Sequence, residues 1–119
     1  MIELIAPDAA LREKLSKYSH GAITAEDIVS LLRDKTAEVV QVNGRLVTGL
    51  AWGNDVVSFF GFHGELHKED LFELDEYAKD VAIREGIKAM QFLSPRNAWH
   101  KLLAPMGYKA VLYVYEKEF

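Results

Sequence analysis

Hydrophobic positions recur along the chain with two different periods, and each change of period marks an element. The opening run IELIA is short and apolar and is broken by Pro7, which predicts a first strand. Asp8 then caps a helix with Leu11, Leu15 and Tyr18 on one face, ending near His20 and Gly21. Thr24 opens a second helix, and Asp27 three residues later completes a capping-box pattern ahead of Ile28, Leu31 and Leu32. Helices this short depend on tertiary packing to persist.

The period then drops to two. AEVVQV and RLVTGLAW are β-rich runs joined by Asn43 and Gly44, the pair that favours a type I′ hairpin. DVVSFFGF follows a second tight turn at GND, so three antiparallel strands come in series. Over residues 70–85 the helical period returns, with Leu71, Leu74, Ala78, Val81 and Ala82 on one face and Gly86 as the stop. IKAMQFL reads as a strand. Ser94, Pro95 and Gly107 bracket a last helix with Trp99, Leu102, Leu103 and Met106 as its apolar stripe, and YKAVLYVYEKEF closes as a strand. The order is β-α-α-β-β-β-α-β-α-β in a single domain over residues 1–119. This is a mixed α+β (α/β mixed) class, with a mostly antiparallel twisted sheet of about six to seven strands and four helices.

Composition narrows the function classes. The chain has no cysteine, which removes disulfides, thiolate nucleophiles and cysteine-bound metals. No apolar run approaches the roughly 20 residues of a membrane span and the start lacks a signal-peptide pattern, so a cytoplasmic address and no membrane partner are expected. A net charge of −4 argues against nucleic-acid binding. The charge is uneven: residues 65–85 hold eight acids and three bases, and residues 86–119 five bases and two acids. The acidic stretch is a solvated helix face or the docking surface of a basic partner, with Asp75, Glu76 and Asp80 as its expected exposed carboxylates.

The stretch FFGFHGELHKEDLF joins a strand to a helix start, a place where backbone N–H groups can cradle a phosphate. The turn offers one glycine, Gly64, and the helix opens with Glu69 and Asp70. Those carboxylates complement the helix dipole by about 0.3–1 kcal/mol each and oppose an incoming anion. HGELH, from His63 to His67, is out of order for the zincin pattern and has no cysteine pair for a deaminase site, so no metal is expected. His63 and His67 remain as weak general-base candidates, since a histidine titrates usefully at a strand end.

The order of elements, the hairpin VNGRLVTGLAWG and the ending MGYKAVLYVYEKEF resemble the GNAT (Gcn5-related N-acetyltransferase) fold over nearly the whole chain. The resemblance implies a coenzyme pyrophosphate loop of the form Q/R-x-x-G-x-G/A between the fourth strand and the third helix. That loop falls on Leu66, His67, Lys68, Glu69, Asp70 and Leu71, where neither the signature Arg or Gln nor the glycines are present. The family's tyrosine acid falls on Leu103, Tyr108 takes a packing position, and Asn97 is a weak coenzyme-binding candidate. The chain is also similar to small acetyltransferase-like proteins of bacteriophages, including internal virion proteins of short-tailed coliphages. The resemblance thus implies a non-catalytic protein with no cofactor, acting by protein binding or as a structural component. Its partner would be a host or virion protein in the host cytoplasm or virion, or a second copy paired through a strand edge such as the last strand. The alternative is an acetyl-CoA-dependent N-acyltransferase with an atypical loop.

Overall fold

The computed structural model describes residues 1–19, 23–92 and 105. Its elements are β1 (Ile2–Leu4), α1 (Ala9–Lys17), α2 (Ala25–Arg33), β2 (Ala37–Val42), β3 (Leu46–Trp52), β4 (Val57–Gly64), α3 (Lys68–Glu85) and β5 (Met90–Phe92). Among the described residues these form one five-stranded sheet in the order β1-β2-β3-β4-β5, antiparallel except for the parallel β4–β5 pair. The predicted class and the first eight elements are therefore present in order. The helix predicted over residues 94–107 and the strand after it lie outside the described residues, as do His20 and Gly21.

Local chemistry accounts for the boundaries. Asp8 accepts from the Leu11 N–H at 2.8 Å, and Thr24 and Asp27 form a reciprocal capping box at 3.0 Å each way. Asn43 and Gly44 both have positive φ, 51° and 70°, as a type I′ turn requires, and the Val42 carbonyl accepts from the Arg45 N–H at 3.1 Å. Gly86 ends α3 in the left-handed region, with Gly86 N–H on Ile83 and Ile87 N–H on Ala82, the paired bonds of a Schellman motif.

The centre of the sheet is buried on both faces, which is why β2 and β3 read as nearly continuous apolar runs. Val40, Val42, Leu46, Leu50, Trp52, Val57 and Phe59 pack under Leu74, Ala78, Val81 and Ala82 of α3. On the other face Val39, Val47 and Phe60 pack with Leu15 of α1 and Ile28 of α2. A side chain at Gly49 would meet the Phe60 ring at 2.2 Å, so this glycine opens the space that the ring fills.

One irregularity decides which way the end of β4 faces. Thr48 pairs with Phe62 and Gly49 with Phe60, leaving Gly61 as an unmatched bulge residue at φ 65°. A Cβ at Gly61 would lie 2.4 Å from the Leu15 carbonyl oxygen, so α1 backbone seats directly on it. The extra residue shifts the alternation by one. Phe59 and Phe62 consequently share the α3 side, with ring centroids 6.3 Å apart, and His63 turns to the α1 side.

Candidate functional site at the strand–helix junction

The junction starts where β4 meets the hairpin. Gly64 has φ 116°, and a Cβ there would stand 2.1 Å from the Arg45 carbonyl oxygen. The same carbonyl accepts the Glu65 N–H at 3.0 Å. The one glycine of the turn thus serves close approach of the β2–β3 hairpin, and that need explains it without a ligand.

Next comes the helix start. Leu66 packs against the α3-side core, His67 is the N-cap, and Leu71 is fully buried. Lys68 is exposed, with its Nζ 6.0 Å from the Phe72 ring. Asp70 is 0% exposed, and its carboxylate is the centre of the junction. Its Oδ2 accepts the His67 N–H at 2.9 Å, while Oδ1 accepts Asn43 Nδ2 at 2.7 Å and Arg45 Nη2 at 2.9 Å. Burial pushes the Asp70 carboxyl up, but the Asn43 and His67 bonds and the nearby Arg45 charge outweigh it and hold it below the ordinary range. The carboxylate therefore stays charged, and it locks the N-terminus of α3 onto the hairpin turn.

Further carboxylates surround this lock. Glu69 lies 3.4 Å from Arg45 Nη2, and Glu73 accepts Asn43 Nδ2 at 2.7 Å and pairs with the first amino group of the chain at 2.5 Å. His67 has Glu65 at 3.4 Å and Glu69 at 3.8 Å from its ring nitrogens. Arg45 Nε and His67 Nε2 are buried without a hydrogen bond among the described residues. The dipole end that would attract an anion is thus already met by an internal carboxylate, with Glu65, Glu69 and Glu73 around it.

The predicted site residues divide between the two sheet faces. His63 stacks on Tyr18 at 5.9 Å between ring centroids, on the α1 side, whereas His67 caps α3. No group of three or more histidine, aspartate or glutamate side chains among the described residues could hold a metal ion. Asn97, Leu103 and Tyr108 lie outside the described residues. On α3, Glu76 and Asp80 are exposed as expected, but Asp75 is only 7% exposed and corrects that expectation. It falls on the buried stripe four residues after Leu71 and three before Ala78, and Lys79 pairs with it at 3.2 Å. That spacing was the signal available in the sequence. The roles of Asn43 and Arg45 had no local signal, because they reach Asp70 from another part of the chain.

No protein-family model and no curated protein matches this sequence. Solved structures do match its shape. A predicted acetyltransferase from Clostridium acetobutylicum, solved with acetyl-CoA, superposes with a TM-score of 0.68 at 8% identity, over 99% of this chain and 96% of that one. A ribosomal-protein-alanine N-acetyltransferase from Brucella melitensis biovar Abortus 2308 gives 0.63 at 17% identity, over 100% of this chain and 99% of that one. A probable acetyltransferase gives 0.64 at 12% identity, over 100% and 96%. The chain has the fold of the GNAT acetyltransferases. Among the described residues no helix is long and apolar enough to cross a membrane.

Proposed function

We propose that this GNAT-fold protein carries no acetyl-CoA at the β4–α3 junction and acts by binding another protein. One observation carries the reading: the buried Asp70 carboxylate occupies the helix N-terminus and is held there by His67, Asn43 and Arg45. A pyrophosphate needs small residues, exposed N–H donors and positive potential. The junction has a filled cap, a glycine committed to Arg45 and an excess of carboxylates, so its residues do not fit that group. The sequence resemblance to phage acetyltransferase-like proteins supports a host or virion protein as the partner class, in the host cytoplasm or virion.

The competing reading is an acetyl-CoA-dependent N-acyltransferase with an atypical loop. It draws support from the fold shared with an acetyltransferase solved with acetyl-CoA. Thermal melts with acetyl-CoA at about 1 mM separate the two. A ligand at about 100 times its Kd adds about 2.7 kcal/mol, which for a chain of this size raises Tm by roughly 10 °C. The expected result is no shift in Tm and no NMR perturbation over residues 62–72. A saturable shift in both would replace the proposal with the enzyme.

A further inference from the structure

Beside the edge strand β1, the outer face of α3 forms a shallow groove of about 370 Å³ lined by Ile2, Phe72, Glu73, Glu76, Tyr77 and Asp80. Ile2 and Tyr77 at its floor also pack against the α3-side core, and Phe72 lies beyond that core. Phe72 is 49% exposed, and Leu4, two residues beyond Ile2 on the same face of β1, is 63% exposed. Glu73, Glu76 and Asp80 recur at spacings of three and four, which makes one acidic stripe about 10 Å long beside this apolar floor.

The nearby cations neutralise only part of that stripe: the N-terminal amine pairs with Glu73 at 2.5 Å, and Glu76 shares Lys79 with Asp75. Lys79 is held by Asp75 at 3.2 Å and Glu76 at 3.5 Å, and Arg84 by Glu85 at 3.1 Å and Glu38 at 3.5 Å. Asp80 has no hydrogen bond or ion pair among the described residues. We propose that the groove docks a cationic amphipathic helix of another protein, with its lysines or arginines on Glu76 and Asp80 and an apolar side chain against Ile2, Phe72 and Tyr77. The inference rests on the protein-binding reading above and gives that partner its chemistry. A second copy of the same face is disfavoured, because a two-fold contact would set acids on acids. Nucleic acid and anionic membranes meet the same repulsion.

The test uses the full chain and a fluorescein-labelled helical peptide of leucine and lysine, with lysines spaced three and four apart along one face. Controls are a scrambled peptide of equal charge and a version with glutamate for lysine. Anisotropy should give saturable binding of the first peptide alone, with NMR shifts confined to Ile2, Leu4 and residues 72–80. Glu76→Lys with Asp80→Lys should weaken binding on the order of tenfold, and Phe72→Ser several-fold, with Tm unchanged at these exposed positions. Equal binding of the scrambled peptide, shifts outside the groove, or unaltered affinity in these variants would overturn the proposal. So would light scattering that shows a dimer abolished by Phe72→Ser. Absent peptide binding with absent acetyl-CoA binding removes the groove alone. Acetyl-CoA binding removes the non-catalytic reading, whatever the peptide does.

Discussion

Asp70→Ala is the sharpest probe of the junction. It deletes three hydrogen bonds to an ionised group, from His67 N, Asn43 Nδ2 and Arg45 Nη2. Each such bond contributes about 1.5–3 kcal/mol. Two effects offset the loss. The substitution removes the desolvation cost of a fully buried carboxylate, which is several kcal/mol for an ion. Arg45 and Asn43 also keep other partners, Glu69 at 3.4 Å and Glu73 at 2.7 Å, so neither is orphaned. The His67 N–H is left without an acceptor, at about 1–3 kcal/mol. The net expectation is a loss of about 3 kcal/mol at neutral pH. For 119 residues at about 2.1 cal/mol/K each, that lowers Tm by roughly 12 °C.

Urea unfolding across pH makes the test specific to charge. The folded Asp70 carboxyl is held below its ordinary 3.8, so its stabilising effect is complete above that value. It is lost as pH falls from 3.8 toward the folded value. The gap between parent and Asp70→Ala should therefore be constant from about pH 7 to about pH 5 and close below 3.8. A gap under about 0.5 kcal/mol at pH 7 would refute the lock, because surface substitutions reach that size without any special role. A gap that widens on acidification would refute it equally.

Two further substitutions test the frame around the junction. Gly64→Ala places a methyl 2.1 Å from the Arg45 carbonyl oxygen at φ 116°, and should destabilise by about 2 kcal/mol or more, read as a fall in Tm or in soluble yield. Thr24→Ala removes the acceptor of the Asp27 N–H at 3.0 Å and should cost about 1 kcal/mol, near 4 °C in a melt.

What the sequence disclosed was local. The type I′ pair at Asn43 and Gly44, the Thr24–Asp27 box and the stop at Gly86 each depend on neighbours a few residues away, and each is present. The apolar stripe of α3 was equally legible, because Leu71, Leu74, Ala78, Val81 and Ala82 keep one period and are all buried. The departures are long-range. The sequence marks Asp70 only as a first-turn acid that complements the helix dipole; in the fold it is the most enclosed charge of the helix, because the hairpin folds Asn43 and Arg45 over it. Gly61 and Gly64 could be seen as glycines, but the backbones they admit belong to Leu15 and Arg45. The bulge at Gly61 then sets the facing of Phe62 and His63, which simple alternation from Phe59 would have reversed.

The lock at Asp70 also bears on how weakly a coenzyme could bind if it bound here at all. A pyrophosphate on the first turn of α3 would have to evict the carboxylate that already caps it, and eviction forfeits the same three bonds that Asp70→Ala removes. An opening cost of about 3 kcal/mol leaves the open form at under one per cent and weakens apparent affinity by on the order of 150-fold. Glu69 and Glu73 remain beside the opened site and add repulsion to that factor. An intramolecular anion therefore holds this helix end by the physics that elsewhere recruits a phosphate, and the same charge pattern continues along α3 through Glu76 to Asp80. On the proposed reading, a helix biased this way would repel an acyl-coenzyme at its tip and attract cations along its flank, so the junction and the groove would favour the same class of partner.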